Sequence, residues 1–246
     1  MRADSSDRGA RFAIAALLLL LAASARAQSL TCPKPGEWPA KLRLEYDVTA
    51  SRGPFSINGE SILAFERNGS AYSVTVDTES ALIYHARQTS RGTIDASGLR
   101  PLEFVETRGS RTPQTAKFDW DAKLVHFSAA ADSPAPTEPG LQDRVSVLLQ
   151  LALQVRPAAR EGPLEIPVAG ARRVGPYRFA KRGAETVKVP IGTMEALHLE
   201  RTPEEGDKDR LEAWFAAGWC GLPVRLRFTD RNGSVVDERL RAARID

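Results

Sequence analysis

The three histidines are the residues that could most simply hold a metal ion. His85, His126 and His198 lie far apart, and none has a cysteine or another histidine at metal-ligand spacing. His198 and Glu200 do share one face of a predicted strand, because side chains alternate along a strand. We interpret them as solvated strand residues, and the sequence predicts neither a metal site nor another cofactor.

Residues for catalysis are equally hard to assign. The chain has no G-x-S-x-G nucleophile elbow, no phosphate-binding loop and no Rossmann glycine fingerprint. Acidic residues are paired at Glu45 and Asp47 and clustered within 204–209. Glycoside hydrolysis needs two carboxyl groups about 5 to 9 Å apart across a cleft, whereas these lie on the wet face of a strand and in a charged loop. We assign no catalytic residue.

The aromatic residues are distributed more informatively. Several lie in or beside predicted strands, and a curved antiparallel sheet would gather some of them on its concave side. Two interpretations stay open, a fully packed core and an apolar pocket between sheet and helix. For the pocket, the candidate ligand-binding residues are Tyr46, Tyr72, Phe118, Trp120, Leu148, Leu149, Trp214 and Phe215.

Cys32 and Cys220 are the only cysteines. In an exported protein they most simply form one disulfide, which would close nearly the whole mature chain. Loop entropy gives a loop of that length about 5 kcal/mol of stabilisation at most. Two unpaired thiols, or a Cys32 in a frayed terminus, are the alternatives.

The first 27 residues have the features of a secretory signal peptide. Arginines precede an apolar run at 12–23, and residues 25–27 give the small-residue A-x-A pattern. The run is shorter than the about 20 residues of a membrane span. We predict cleavage after Ala27 and a periplasmic protein with no integral membrane span. An uncleaved anchor and lipid attachment at Cys32 are the alternatives.

Charge excludes one class of partner. The chain has 34 basic and 31 acidic residues, which become 30 and 29 without the four arginines and two aspartates of the leader. A nearly neutral domain lacks the electrostatic footprint of nucleic-acid binding. The length of residues 28–246 suits a single domain with a substantial core.

Strand patterns dominate this domain. Apolar and charged residues alternate over 42–48, which indicates a half-buried strand. Asn58-Gly59 is interpreted as a bulge and Asn68-Gly69 as a hairpin turn, while 129–140 is predicted to be a surface loop. Further strands are predicted at 55–65, 72–76, from 82, at 102–107, 116–121, 123–127, 164–168, 174–180, 184–189, 194–201 and 211–215.

One stretch has strong helical spacing. Apolar residues recur every three or four positions from Leu141 to Leu153, and Pro157 predicts the end of a helix over 141–154. So apolar a helix must lie against a large hydrophobic surface. The concave face of the sheet is the candidate.

The segment 211–240 is predicted to be the closing edge of the sheet. Val224 to Phe228 alternates with arginines, Asn232-Gly233 suits a tight turn, and a second extended segment runs from Val235 to Leu240.

Several short motifs follow one another along the chain: LRLEYDVTA at 42–50, the strands with Gly59 and Tyr72, GLRPLEF at 98–104, FDW at 118–120, DRVSV at 143–147 and GLPVR at 221–225. The order of these motifs resembles the domain of unknown function 3108 family of bacterial exported proteins. The resemblance covers essentially the whole mature chain, and no catalytic residues are established for that family. The sheet-and-helix pattern also resembles, more distantly, the periplasmic lipoprotein-carrier fold, and a fold likeness alone does not give function.

Together these features predict a mainly β protein: a strongly curved antiparallel sheet, or half-barrel, with one main helix packed across its concave face. The leading functional hypothesis is a periplasmic, non-catalytic binding module that carries an apolar small molecule, lipid or acyl chain. A protein-interaction or scaffold element of envelope assembly is the alternative, and a glycan-active hydrolase is the third.

Overall fold

The computed structural model describes residues 30–34, 37–80, 84–130, 134–155, 164–204 and 208–246. The predicted signal peptide and Pro157 lie outside these residues, and so do the first two residues of the strand predicted from Leu82. Within this described part, no helix is long and apolar enough to cross a membrane.

The described residues form one sheet of 15 strands and one α-helix, α1 (Ser146–Val155). The predicted fold class, a curved antiparallel sheet with one helix, is confirmed. The strands are β1 (Lys41–Arg52), β2 (Phe55–Asn68), β3 (Ala71–Ser80), β4 (Tyr84–Asp95), β5 (Gly98–Arg108), β6 (Gln114–Asp119), β7 (Leu124–Phe127), β8 (Ala135–Pro136), β9 (Gln142–Asp143), β10 (Leu164–Ala169), β11 (Val174–Val189), β12 (Gly192–Thr202), β13 (Arg210–Ala216), β14 (Leu222–Thr229) and β15 (Val235–Ile245).

The chain runs as two antiparallel meanders that join at the middle of the sheet. β1 pairs with β2 on one side and with β15 on the other, so the outermost strands are β8 and β9. β9 pairs parallel with β10, and every other pair is antiparallel. The prediction that 211–240 forms the closing edge was therefore wrong. The hairpin itself is confirmed, but β15 takes the first strand as its second partner.

The sheet curves so far that its two arms share the helix. Edge strand β9 lies beside β5, where the Gln142 side-chain amide donates to the Leu99 carbonyl at 2.7 Å. Helix α1 contacts both β5 and β14. Its Gln150 side chain accepts from the Leu99 amide at 3.0 Å and donates to the Ser97 carbonyl at 2.8 Å. A Cβ on Gly98 would lie 2.3 Å from this amide, so glycine lets the helix approach β5.

The two ends of the half-barrel differ. Because neighbouring strands are antiparallel, successive turns alternate between the ends. We call the end with turns 69–70, 96–97, 120–123, 190–191 and 217–221 the closed end, and that with turns 53–54, 109–113, 170–173 and 230–234 the open end.

The closed end is held by a hairpin and a disulfide. The tip of the β11–β12 hairpin reaches β15, where the Ile191 amide donates to the Leu240 carbonyl at 3.1 Å, and Val187 is buried in the larger core cluster. The predicted disulfide is confirmed: Cys32 bonds to Cys220 across 188 positions of sequence.

The helix begins later than predicted. Residues 142–143 form β9, and α1 starts at Ser146 because Asp143 caps it. The Asp143 carboxylate accepts from the backbone amides of Val145 and Ser146 at 2.9 and 2.8 Å, and the Ser146 hydroxyl accepts from the Asp143 amide. Leu141 and Val145 are thus buried core residues that precede the helix.

Three local predictions also need correction. Gly59 continues β2 without a bulge, since its register with both neighbouring strands is unbroken. The residue is glycine because a Cβ there would lie 2.2 Å from the Glu79 carbonyl of β3. The strands predicted at 174–180 and 184–189 form the single strand β11, which a bulge between Lys181 and Gly183 bends. Within the predicted loop 129–140, Ala135–Pro136 pairs with β7, a strand too short to give a sequence pattern.

Candidate ligand-binding groove at the open end

A groove of about 1050 Å³ lies between the two arms of the sheet at the open end. Strands of both arms and the segment that leads into α1 contribute to it. The described lining residues include Val76, Thr78, Ala86, Gln88, Glu106, Arg108, Gln114, Arg144, Leu148, Val168, Gly170, Tyr177, Arg201, Leu211, Leu226, Phe228, Val236 and Glu238.

The wall from the second half of the chain has an apolar row on strands β13 to β15, while charged residues of its turns, such as Arg173 and Glu204, also line the groove. Leu226 and Phe228 project inward from β14 because residues two apart share a face. Phe228 pairs with Val236 of β15 and with Leu211 of β13, so three apolar side chains form one row across neighbouring strands. Phe228 remains 39% exposed, which shows that nothing in the described chain covers this row completely.

The facing wall is polar. Gln88 of β4 pairs with Glu106 of β5, whose side chain is only 6% exposed. Glu106 accepts from the Gln88 amide at 2.6 Å and from Arg108 at 2.8 Å. Burial raises the pKa of this carboxyl, but the bonds from Arg108 and Gln88 and the charge of Arg144 outweigh burial and lower the pKa below its usual value. Glu106 is therefore an anion whose charge the protein already neutralises.

Arg144 links the two walls in front of the helix. Its Nη1 lies 3.7 Å from Glu106 on one arm. On the other arm its guanidinium lies against Gly170, where an added Cβ would be 3.1 Å from its nitrogens. Even so, 41% of the Arg144 side chain remains exposed. The groove thus has a cation beside its polar wall that solvent or a ligand can reach.

The helix contributes an apolar residue to the groove. Leu148 is half-buried and packs against the smaller core cluster, which also includes Phe215 and Leu199. The next residue, Leu149, is 2% exposed and belongs to the larger cluster. Consecutive residues of the helix therefore contact the groove and the packed interior.

Glu238 introduces a carboxyl group beside the apolar wall. It faces inward from β15, next to Leu226 of β14 and Val48 of β1. Burial raises its pKa to about 7, opposed by a hydrogen bond from Ser61 and reinforced by the charge of Asp237. The group therefore changes its charge near neutral pH.

A buried polar network separates the groove from the closed end. The Ser90 hydroxyl donates to the Asp143 carboxylate at 2.5 Å, and the Tyr72 hydroxyl lies 2.9 Å from Ser90. Burial raises the Asp143 pKa to about 6, although hydrogen bonds from Ser90, Ser146 and Val145 oppose it. Burial also raises the Tyr72 pKa. These groups are hydrogen-bonded to one another and to the backbone at the start of α1, so the network holds the start of the helix against the sheet.

Most sequence-predicted site residues lie in the two core clusters. Tyr46, Tyr72, Phe118, Leu149 and Phe215 are at most 5% exposed. Tyr46 uses its hydroxyl to donate to the Pro223 carbonyl at 2.8 Å. The five residues are divided between the clusters, with Phe215 in the smaller one and the others in the larger.

The two predicted tryptophans lie outside the groove. Trp120 is in a closed-end turn, where its indole donates to the Pro101 carbonyl at 2.7 Å. Trp214 is 3% exposed and stacks on His198 with ring centroids 4.3 Å apart. The pairing of β13 with β14 is irregular between Trp214 and Phe215. Of the eight predicted residues, Leu148 alone is among those that line the groove, and ligand contact by the others stays a prediction.

The groups first considered for chemistry have structural contacts. His198 lies 3.2 Å from Glu212 and 3.6 Å from Glu185, so only 14% of its side chain is exposed and it is less solvated than predicted. Glu45 and Asp47 both contact Arg241. Among the described residues, no group of three or more histidine, cysteine, aspartate or glutamate side chains could hold a metal ion.

Sequence reasoning missed the groove residues Leu226, Phe228, Glu106 and Arg144. Phe228 was recognised as part of an alternating strand, but alternation indicates only which side chains point inward. Whether an inward side chain is covered depends on where the helix ends across the sheet, and no local pattern encodes that position.

Comparison with known proteins gives a family match and a fold match. The family model described as Protein of unknown function (DUF3108) matches residues 45–238. The comparison with curated proteins returned no match. Among solved structures, a beta-barrel-like protein of the domain of unknown function DUF1849 from Brucella abortus has a TM-score of 0.57 at 13% identity, over 85% of this chain and 98% of that one. This likeness shows the fold alone.

Two further solved structures match at lower similarity. A DUF1329 family protein from Desulfovibrio piger has a TM-score of 0.31 at 11% identity, over 85% of this chain and 87% of that one. A putative outer membrane lipoprotein-sorting protein domain from Vibrio parahaemolyticus has a TM-score of 0.30 at 8% identity, over 86% and 88%. Neither is similar enough to support a functional argument.

Proposed function

The chain belongs to the DUF3108 family of proteins of unknown function, and from that premise we propose that it is a non-catalytic binding protein of the bacterial envelope. Its open-end groove takes an apolar molecule or an acyl chain.

The observation that supports this proposal most strongly is the incompletely covered apolar wall. Small-molecule sites are concave, mostly apolar and about 300 to 1000 Å³ in volume, with a few well-placed polar groups. The groove reaches about 1050 Å³ and combines Leu211, Leu226 and Phe228 with Arg144. Such a site suits a ligand that is apolar along most of its length.

The arrangement of the walls suggests how this ligand would lie. Its chain would contact Leu148, Leu226 and Phe228, and each methylene removed from water would contribute about 0.8 kcal/mol. Any polar end would lie toward Arg144. Leu148 is the sequence-predicted residue that we assign to direct contact, and the buried aromatic residues support the sheet behind it.

The disulfide supports an envelope location. Disulfides persist in oxidising compartments such as the periplasm, and Cys32 and Cys220 are bonded. We therefore also propose that residues 1–27 are a signal peptide and that residues 28–246 act in the periplasm.

A fluorescent fatty-acid titration tests the proposal. The wild-type protein should bind the probe at one saturable site. Leu226→Glu places a second carboxylate beside Glu238 in the apolar wall, so probe affinity should fall at least about tenfold. Phe228→Ala should weaken binding about two- to fivefold, because part of the wall is lost.

Leu102→Glu is the matched control. Leu102 is 45% exposed and does not line the groove, so this variant should bind like wild type. Circular dichroism should show all three variants folded. No uptake by wild type, or equal weakening by Leu102→Glu and Leu226→Glu, would contradict the proposal.

A scaffold function that uses the edges of the sheet has less support. The outermost strands of the described chain, β8 and β9, are two residues long each. They offer few backbone groups for strand addition by a partner.

A further inference from the structure

We propose that the open end docks on an anionic lipid surface, with Phe55 and Ile57 entering the headgroup region and surrounding arginines contacting lipid phosphates. This inference goes beyond ligand binding in the groove and uses residues at the rim.

Exposed apolar side chains are concentrated at this end. Among the described residues, the large hydrophobic side chains classed as exposed are Phe55 at 77%, Leu102 at 45%, Ile57 at 40% and Phe228 at 39%. A single exposed hydrophobic residue is ordinary. Here three of the four lie on one face at one end, and that coincidence needs a physical reason.

The strand register makes these residues a continuous strip. Ile57 pairs with Ala50, Ala50 pairs with Val236, and Val236 pairs with Phe228. All four therefore lie in one row across β2, β1, β15 and β14. Phe55 occupies the next inward-facing position of β2, beyond this row. The strip begins at the groove wall and extends to the rim.

Basic side chains surround the same rim. Exposed residues at or beside the open-end turns and the β12–β13 connection include Arg52, Arg111, Arg172, Arg173, Lys208 and Arg231. Three described carboxylates lie among these six basic groups: Glu204 is 3.5 Å from Arg173, Asp209 accepts from the Arg231 amide at 3.0 Å, and Asp230 accepts from the amides of its own turn. The basic groups therefore outnumber the described acidic ones. The described rim therefore presents cationic groups around an apolar strip.

This combination fits a lipid surface better than a protein partner. Aromatic and aliphatic side chains bind at the boundary between headgroups and acyl chains, and basic residues near an anionic leaflet each contribute about 1 kcal/mol. An anionic bilayer satisfies both features of the rim at once. If the groove also takes acyl chains, this orientation places the open end of the groove against the bilayer from which the chains would come.

Vesicle sedimentation tests the proposal with purified protein. Wild type should bind vesicles that contain 30% phosphatidylglycerol in phosphatidylcholine and should bind pure phosphatidylcholine at least about tenfold more weakly. Phe55→Ser/Ile57→Ser should reduce binding to the anionic vesicles about tenfold or more, and Arg172→Glu/Arg173→Glu should do the same and lessen the salt dependence.

The controls carry the same changes away from the rim. Leu102→Ser and Lys117→Glu/Lys123→Glu alter exposed residues outside the open end, so both should bind vesicles like wild type. Failure of wild type to bind anionic vesicles, or equal losses in rim and control variants, would overturn the proposal. Binding that requires a membrane protein in the vesicles would also overturn it, in favour of a protein partner. Phe55→Ser/Ile57→Ser should still bind the soluble fatty-acid probe, so docking and groove binding can fail separately.

Discussion

Phe104 and Phe228 both project into the half-barrel, one toward its packed interior and one at its open end, and their surroundings differ completely. Phe104 is 0% exposed within the larger core cluster, whereas Phe228 is 39% exposed and borders the groove. Both residues belong to strands, β5 and β14, that the helix contacts. Coverage by the helix and the opposite arm therefore separates a structural position from a site available to a ligand.

Polar groups show the same contrast. Around the helix, the Ser90 hydroxyl donates to the Asp143 carboxylate, and the Gln150 side chain accepts from the Leu99 amide, so these buried groups are all hydrogen-bonded. At the open end, Arg144 keeps a large exposed fraction and Glu238 titrates near neutral pH. The polar groups around the helix fix the fold, while the open end has polar groups that can respond to a ligand.

The largest expected effect on stability is that of truncating Phe104, and truncating Phe228 provides the comparison. Phe104→Ala should lower the free energy of unfolding by about 3 to 5 kcal/mol, because it leaves a cavity in a packed core. Phe228→Ala should lower it by less than about 1 kcal/mol, since its ring is already partly in water. Urea denaturation of both variants measures the difference, and equal losses would show that the open end is packed like the interior.

Removal of the disulfide should have the next largest effect. Cys32→Ser/Cys220→Ser should destabilise the protein by about 2 to 4 kcal/mol, because the unfolded chain regains the freedom of a long loop. Thermal denaturation with and without reductant provides the measurement. Reductant should lower the wild-type transition and leave that of the double variant unchanged. If reductant left the wild-type transition unchanged, the disulfide would not be what stabilises the closed end.

The Glu238 carboxyl should make stability depend on pH. Its pKa rises from 4.5 to about 7 on folding. The stability of the fold is therefore unaffected by this group below pH 4.5 and decreases as the pH rises from 4.5 through 7, because ionisation is then favoured in the unfolded chain. Glu238→Gln should therefore be more stable than wild type at pH 8 by about 3 kcal/mol, with the difference vanishing near pH 4. Denaturation at both pH values measures this, and a difference independent of pH would contradict the assignment.

The smallest effect should come from the rim. Arg173 forms an exposed pair with Glu204 at 3.5 Å, and such pairs contribute about 0 to 1 kcal/mol. Arg173→Ala should therefore change the free energy of unfolding by less than about 0.5 kcal/mol. A larger loss in denaturation would show that rim arginines serve the fold, and it would weaken their proposed role at lipid.

The sequence predicted the fold better than the site. Alternation over 42–48 identified β1 and its buried face, because a strand with one wet side leaves a local period of two. Asn58-Gly59 was misinterpreted because glycine marks both bulges and close backbone contacts. The position of β15 could not be predicted, since its pattern is the same beside any partner.

The site residues could not be predicted for a different reason. Tyr46, Tyr72 and Phe215 were chosen because large aromatic residues line pockets, yet the same residues pack cores, and here they are buried in the two core clusters. The groove depends on contacts between residues distant in sequence, such as Arg144 with Glu106. Spacing along the chain contains no information on such a contact.

The central claim is that the open end, and no other surface, receives an apolar chain. Diffraction from crystals soaked in 12-bromododecanoic acid, recorded at the bromine absorption edge, tests it most directly. We predict one bromine peak in the groove, within van der Waals distance of Leu148, Leu226 or Phe228. Bromine on the convex face of the sheet alone, or no bound bromine at a saturating concentration, would contradict the account.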